Sequence, residues 1–196
     1  MIRAFALVLA LASVGASGHP GEHAAVSRAG TAAQAPFVRG AGVYRREPVA
    51  LVRSDGARVA LDDELAFDGP VVVNFIFTSC SAVCPIATRT LAELQERLRP
   101  GENVRIMSIS LDPLNDTPDA LRAYARKAGA RAGWRFYTGS VEASVAAQRA
   151  FDLFRGDKMN HAPVTLVRSA PGAAWVRLEG FPTAAELAAE VRAEIR

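Results

Sequence analysis

The apolar residues of the chain recur with two different periods. Residues 71–77 form an almost continuous apolar run rich in β-branched and aromatic side chains, which is typical of a strand buried on both faces of a sheet. Residues 104–111 return as a second such strand, whereas the leucines within residues 87–98 lie at helical spacing. Strands that alternate with helices imply parallel pairing, so the pattern predicts an α/β fold with helices flanking a central sheet.

Turn and capping signals divide the rest of the chain into elements. Asp55-Gly56 lies between the apolar-rich runs of residues 49–61 and predicts a β-hairpin that opens the domain. The elements expected after residue 111 are a helix at 118–127, a short strand at 135–138, a helix at 141–150, strands at 164–168 and 174–179, and a last helix. Hydroxyl side chains mark the three helix starts: Thr117, Ser140 and Thr183. Pro171-Gly172 predicts an antiparallel turn, which makes the sheet mixed.

The amino-terminal residues have the pattern of an export signal. Arg3 precedes an apolar stretch at residues 4–14 and small residues at 14–16, so residues 1–18 are predicted to be a secretory signal peptide. The stretch is shorter than the about 20 residues that span a bilayer, and an uncleaved membrane anchor is the alternative. Residues 19–47 lack periodicity and are expected to be a flexible linker that holds His19 and His23 in solvent. Residues 48–196 then form one domain, exported to a bacterial periplasm.

Composition narrows the possible functions. The 196 residues hold 23 basic and 20 acidic side chains, a net charge of +3, which leaves too little basic surplus to coat a phosphate backbone. We therefore exclude nucleic acid as a partner. The scarce residues carry more information, because the chain has only two cysteines and three histidines.

Both cysteines lie where α/β proteins place their sites. Cys80 and Cys84 follow the buried strand directly and precede a helix. Amide groups at a helix start lower a thiol pKa, and a spacing of four residues turns two side chains to the same side. Such a pair binds a soft metal, or closes into a disulfide and reopens. A purely structural disulfide is the alternative, although a bridge across so short a loop stabilises little.

His161 is the histidine that could join the cysteines. It precedes the strand at 164–168, and if that strand neighbours residues 71–77, His161 stands at the same edge of the sheet. Two thiolates and one imidazole suit copper, whereas a structural zinc site normally takes a fourth protein ligand. Met159 is expected to pack rather than to bind metal.

Three motifs in order resemble the Sco/SenC family. They are NFIFTSCSAVCP at residues 74–85, SLDPLNDTP at residues 110–118, and His161 before a strand. The resemblance covers about residues 48–196 and implies an exported or membrane-anchored protein with a thioredoxin fold, here with an added amino-terminal β-hairpin. It implies that Cys80, Cys84 and His161 bind copper. Ser81-Ala82 and Met159-Asn160 depart from the commonest family pattern, so contacts with partners around the site are expected to differ.

The resemblance also implies supporting residues. Asp112 and Asp116 match an acidic pair of the family and are expected to support the ligands or to face a partner; the alternative is that they only shape a turn and a helix start. Pro163 follows His161 by two residues, where thioredoxin-like folds often keep a cis proline, so a cis bond is expected at Ala162-Pro163.

These observations favour a copper chaperone rather than an enzyme. The resemblance implies that it holds Cu(I) or Cu(II) and helps assemble the copper-A centre of cytochrome c oxidase, its partners being the copper-A subunit or another copper protein, other copper chaperones, or thiol reductants. The alternative is a thiol-disulfide oxidoreductase that reduces the cysteines of a copper protein, with Cys80 as the attacking thiolate and a Cys80–Cys84 disulfide as the oxidised form. A third possibility is a peroxidase, for which Thr78 and Arg89 are available.

Overall fold

The computed structural model describes residues 37–193, and within them eight strands form one mixed sheet. The strands are β1 (Phe37–Ala41), β2 (Ala50–Arg53), β3 (Arg58–Ala60), β4 (Val71–Ile76), β5 (Arg105–Ser110), β6 (Trp134–Gly139), β7 (Val164–Arg168) and β8 (Val176–Gly180). Their order across the sheet is β1-β8-β7-β4-β5-β6-β2-β3. β4, β5 and β6 run parallel, while β7 lies antiparallel to β4. The mixed sheet predicted from the sequence is confirmed.

The helices cover the sheet, and three of them begin where their capping residues predict. They are α1 (Leu61–Leu65), α2 (Val83–Arg97), α3 (Pro118–Lys127), α4 (Val141–Ala150) and α5 (Ala184–Arg192). Thr117, Ser140 and Thr183 each accept a hydrogen bond from the backbone amide three residues on, which satisfies a free donor at the helix start. α2 begins four residues earlier than expected, so Cys84 lies in its first turn rather than before it.

The two faces of the sheet carry different helices. Successive strand residues point to opposite faces, so Asn74 and Phe75 of β4 lie on opposite sides. Asn74, Ser108 and Phe136 are neighbours in register, and the ring of Tyr124 in α3 packs on Phe136 with ring centroids 6.1 Å apart. Phe75 instead packs on Phe151, which follows α4. α3 and α4 therefore lie on opposite faces.

The sheet begins earlier in the chain than the sequence pattern predicts. The β2–β3 hairpin forms as expected, with Gly56 at positive φ in its turn, but it does not open the domain. β1 lies earlier, within the residues expected to be linker, and pairs antiparallel with β8. Four of its five residues are exposed, so no buried alternation marks this strand, and backbone pairing with β8 holds it in the sheet.

The expected signal peptide, the two linker histidines and most of the linker lie outside the described residues. In the part of the chain that the structure describes, no helix has the length and apolar character needed to cross a membrane.

Candidate metal and thiol site

The candidate site residues lie at one edge of the sheet. The parallel strands β4 and β5 end there, and β7 begins there because it runs antiparallel to β4. Cys80 and Cys84 follow β4, Asp112 and Asp116 follow β5, and His161 precedes β7. The expectation that the strand after His161 neighbours the strand before the cysteines is confirmed.

The two cysteines are free thiols whose sulfurs converge. The backbone amide of Cys84 donates to Cys80 Sγ at 3.4 Å, and the two thiols hydrogen-bond to each other. Cys84 is buried, whereas Cys80 is partly exposed. The spacing of four across the start of α2 therefore places two soft ligands side by side.

Their surroundings give the two thiols opposite acidities. Burial opposes ionisation of Cys80, but hydrogen bonds from the Cys84 thiol and from the backbone amides of residues 82–84 lower its pKa below the ordinary value. Burial, and the proton that Cys84 shares with Cys80, raise the pKa of Cys84 to about 12. Cys80 is thus the sulfur that carries negative charge first.

Asp116 ties the cysteine loop to the end of β5. Its buried carboxylate accepts hydrogen bonds from the Thr78 backbone amide at 3.1 Å and from the Thr78 hydroxyl at 2.5 Å. The hydroxyl of Ser110 donates to the same carboxylate at 2.6 Å. Because Thr78 stands two residues before Cys80, Asp116 sets where the cysteine loop leaves the sheet.

Asp112 ties the histidine loop to the end of β5 in the same way. Its buried carboxylate accepts from Lys158 Nζ at 2.5 Å, three residues before His161, and the Lys158 ammonium also lies 5.3 Å from the ring centroid of Phe77. Burial opposes the charge of Asp112, but the hydrogen bonds from Lys158 and Asn115 lower its pKa. Both aspartates are buried and contact groups of this chain, and the expected role facing a partner stays a prediction.

Ser110 joins the two aspartates into one polar chain. Its hydroxyl donates to Asp116 and accepts the backbone amide of Asp112 at 2.9 Å. The chain thus runs from Thr78 through Asp116, Ser110 and Asp112 to Lys158. Sequence reasoning missed Ser110 and Lys158; a polar residue at the end of a buried strand was a signal for the first, while nothing in the pattern marked the second.

His161 is held away from the sulfurs. Its ring packs edge-on against Phe75, with centroids 6.4 Å apart, and hydrogen-bonds to the Phe75 backbone. Burial lowers its pKa to about 4, although that hydrogen bond opposes the shift. The imidazole is therefore neutral at neutral pH, which is the form that binds metal.

The three expected ligands share an edge without forming a completed centre. Between residues 37 and 193, no three His, Cys, Asp or Glu side chains converge in a way that could hold a metal ion. The sulfurs contact each other and the imidazole contacts Phe75 instead. A centre made of Cys80, Cys84 and His161 therefore requires the imidazole to move toward the sulfurs.

Two expectations for the histidine loop were wrong. The described residues contain no cis peptide bond, so the bond before Pro163 is trans. Met159 does not pack, because 72% of it is exposed. It lies in a 3-10 turn at Lys158–Asn160 whose hydrogen bonds to Asp157 turn the chain without bringing the thioether onto the core.

The groups considered for a peroxidase lie close to Cys80 but are engaged elsewhere. Thr78 and Arg89 line a cavity that Cys80 also lines. The Thr78 hydroxyl donates to Asp116, and the Arg89 guanidinium pairs with Glu93 at 2.9 Å. Among the described residues neither group hydrogen-bonds to the sulfur, so nothing in this arrangement favours peroxide chemistry.

Comparisons with known proteins agree on one family. The SCO1/SenC family profile matches residues 46–195. The chain is 36% identical over 106 residues to the SCO1 protein homolog of Bacillus subtilis, a match that covers 52% of this chain and only 53% of that protein.

Solved Sco proteins have the same fold. BsSco, a member of the Sco family of cytochrome c oxidase assembly proteins in which a disulfide switch is identified, superposes with a TM-score of 0.64 at 25% identity, over 80% of this chain and 96% of that one. ScoI of Arabidopsis thaliana with copper bound gives a TM-score of 0.64 at 24% identity, over 76% of this chain and 97% of that one. The fold is therefore the thioredoxin-like fold of the Sco structures.

Proposed function

Because the chain belongs to the SCO1/SenC family, we propose that it is an exported copper chaperone that delivers copper to the copper-A subunit of cytochrome c oxidase. One observation carries the proposal: two free thiols converge at the sheet edge from which a neutral imidazole also projects. Copper is the cargo of this site, and Cys80, Cys84 and His161 are its proposed ligands.

The chemistry of these groups suits copper. Thiolates are the ligands that Cu(I) prefers, and an added imidazole helps to hold Cu(II). Cys80 ionises readily, while Cys84 releases its proton as the metal binds, since metal affinity and thiol ionisation are linked. Asp116 holds the cysteine loop and Asp112 holds the histidine loop, so both loops start from defined positions.

Exposed apolar side chains around the site support transfer to a protein partner. Four large ones stand on the segments that leave the site edge, and we call them the apolar rim: Ile86, Leu114, Val141 and Met159, with exposed fractions of 49%, 79%, 43% and 72%. A chaperone must contact the copper acceptor closely enough for ligands to exchange, and exposed apolar groups mark such contacts.

A copper titration tests the proposal. We expect reduced protein to bind one Cu(I) per chain in competition with a chromogenic chelator, and Cys80→Ser or Cys84→Ser to lose this binding. His161→Ala should weaken binding, because one ligand is removed while the sulfurs remain. Met159→Ala is the matched control, since this exposed residue lies two positions from His161 and is not a proposed ligand. Absence of stoichiometric binding by the wild type would refute the proposal.

The acidity difference between the sulfurs favours a second candidate function. A partly exposed thiol of low pKa next to a buried thiol of high pKa is the arrangement of a thiol-disulfide oxidoreductase, in which the first attacks and the second resolves. A Cys84→Ser variant should then trap a partner through Cys80. If Cys84→Ser traps no partner, although the copper-loaded wild type still transfers copper to that partner, only the chaperone function remains supported.

Export rests on the pattern of residues 1–18. In a Gram-negative host, we expect the protein in the periplasmic fraction with a new amino terminus close to residue 17. Protein that retains residue 1 and pellets with membranes would instead indicate an uncleaved anchor.

A further inference from the structure

A cavity of about 550 Å³ lies between α2 and α3 and reaches Cys80. Its walls come from the first half of α2 and from α3, and four alanines leave the space open. The lining residues are Thr78, Cys80, Pro85, Thr88, Arg89, Ala92, Ala120, Ala123, Tyr124, Lys127 and Ala128. This volume is in the range of small-molecule sites, about 300 to 1,000 Å³.

The cavity has a polar contact across it. The hydroxyls of Thr88 in α2 and Tyr124 in α3 hydrogen-bond at 2.7 Å and join the two walls. The uncharged remainder of the lining is mainly apolar, since it comprises Pro85 and the four alanines besides Thr78 and Cys80. A bound molecule would therefore meet an apolar wall and the Cys80 residue.

The charged groups of the cavity are all cationic. Arg89 stands on the α2 wall and Lys127 on the α3 wall, and the lining contains no carboxylate. Lys127 forms no salt bridge within residues 37–193, and the pair that Arg89 forms with Glu93 is largely exposed and therefore weak. The cavity thus suits a ligand that carries carboxylates.

The cavity approaches Cys80 from the side opposite His161. Tyr124 packs on Phe136, on the α3 face of the sheet, whereas His161 packs on Phe75, which points to the other face. A molecule in the cavity can therefore reach the sulfur of Cys80 while His161 stays where it is. The thiol pair has one side for the imidazole and another for a small molecule.

We propose that the α2–α3 cavity binds a small disulfide or thiol that carries carboxylates, of the glutathione class, and exchanges it at Cys80. The inference rests on the proposed function, because it uses the same cysteine pair. It adds to that function a small-molecule substrate that sets the oxidation state of the pair before copper binds.

The exchange balances without a further reactant. The Cys80 thiolate attacks one sulfur of the small disulfide, so a Cys80–sulfur bond forms, the original S–S bond breaks, and one small thiolate leaves. Cys84 gives up its proton to the leaving thiolate and attacks Cys80 Sγ, which forms the protein disulfide and expels the second small thiolate. The pair is oxidised and one small disulfide becomes two thiols; the reverse reaction reduces the pair, which copper binding requires.

Rates with two probes of different charge test the proposal. In a Cys84→Ser variant the reaction stops at the mixed disulfide on Cys80, whose formation is followed by mass spectrometry with oxidised glutathione or with uncharged bis(2-hydroxyethyl) disulfide. We expect Arg89→Gln and Lys127→Gln each to slow reaction with oxidised glutathione about two- to fivefold and to leave the uncharged probe unchanged. Ala123→Leu, which narrows the cavity, should slow both probes.

Arg126→Gln is the matched control, because Arg126 is an exposed cation of α3 that does not line the cavity. Equal slowing by Arg126→Gln and Lys127→Gln, or equal effects on both probes, would overturn the proposal. Oxidation of the wild-type pair by each probe provides a second measurement if Cys84→Ser does not fold.

Copper titration separates this inference from the proposed function. We expect Lys127→Gln to bind one Cu(I) as the wild type does. If the wild type binds copper normally but Arg89→Gln and Lys127→Gln slow neither probe, only the cavity proposal is contradicted. If these variants slow only oxidised glutathione but the wild type binds no copper, only the chaperone proposal is contradicted.

Discussion

Buried carboxylates lie at both ends of the sheet, but the side chains that bind them differ between the two ends. At the amino-terminal end of β5 and β6, Glu64 accepts hydrogen bonds from Tyr137 at 2.5 Å and Arg135 at 2.8 Å. Arg53 and Arg105 stand 3.4 and 3.8 Å from the same carboxylate. At the site end, Asp112 and Asp116 bind Lys158, Thr78 and Ser110.

The difference lies in what each cluster joins. Glu64 connects α1 with residues of β2, β5 and β6, all of which are regular elements. Asp112 and Asp116 connect the end of β5 with the two loops that carry His161 and the cysteines. The first cluster therefore holds the fold together, whereas the second positions reactive groups, so damage at the two ends should separate stability from copper binding.

The largest effect on stability is expected from Glu64→Ala. Removing this carboxylate takes the acceptor from Tyr137 and Arg135 and a nearby negative charge from Arg53 and Arg105. Breaking a buried ion pair in this way costs about 3 to 5 kcal/mol of unfolding free energy. Urea denaturation measures the loss, and Glu64→Gln, which keeps an acceptor oxygen, should lose less. Reduced Glu64→Gln should still bind one Cu(I); a large loss of copper affinity would contradict the division between the two ends.

Asp116→Ala should affect both properties. It removes the acceptor for Thr78 and Ser110 in a buried place, so we expect a loss of about 2 to 3 kcal/mol. The cysteine loop also loses its tether, and the Cu(I) affinity should fall about 10- to 100-fold, as for other residues that orient metal ligands. Asp116→Asn is the milder comparison. Unchanged copper affinity in folded Asp116→Ala would show that the tether does not position the cysteines.

Lys158→Met should affect copper binding more than stability. The methionine retains packing near Phe77 but cannot pair with Asp112, so the unfolding free energy should fall by about 1 kcal/mol or less while Cu(I) affinity falls about tenfold. The other lysine of the chain provides the control, since Lys127→Met alters no contact of either loop. If the two variants bind copper equally, Asp112 and Lys158 do not position His161.

Acid is expected to lower stability in two separate ranges of pH. The pKa of His161 is about 4 in the folded protein against an ordinary 6.5, so the unfolded chain takes up this proton first and stability falls as the pH drops from 6.5 toward 4. The loss is roughly 1 kcal/mol by pH 5.5. Burial acts to raise the pKa of Glu64, but hydrogen bonds from Tyr137 and Arg135 lower it below 4.5, so its contribution is lost only below that pH.

Urea midpoints between pH 7 and pH 3 measure both ranges. His161→Asn should flatten the upper range and Glu64→Gln the lower one, each without altering the other. Loss of both ranges in one variant, or of the same range in both variants, would contradict the independence of the two ends of the sheet.

The sequence by itself determined the features that depend on neighbouring residues. The nearly continuous apolar run of β4 predicts a strand covered on both faces. Every side chain of β4 is buried in the structure. The hydroxyl caps predict helix starts because the capping bond spans three residues. The spacing of Cys80 and Cys84 predicts sulfur contact because four residues span one helical turn. These constraints act between residues that are close in sequence, so the sequence alone reveals them.

Only the tertiary structure decided what depends on distant pairs. Lys158 meets Asp112 across 46 positions and Thr78 meets Asp116 across 38, and no local pattern records such a pairing. β1 belongs to the sheet because β8, far along the chain, offers it backbone partners. The place of His161 beside Phe75, and the cavity between α2 and α3, follow from how strands and helices pack side by side. The sequence thus indicated candidate residues for the chemistry, and packing decided which of them meet.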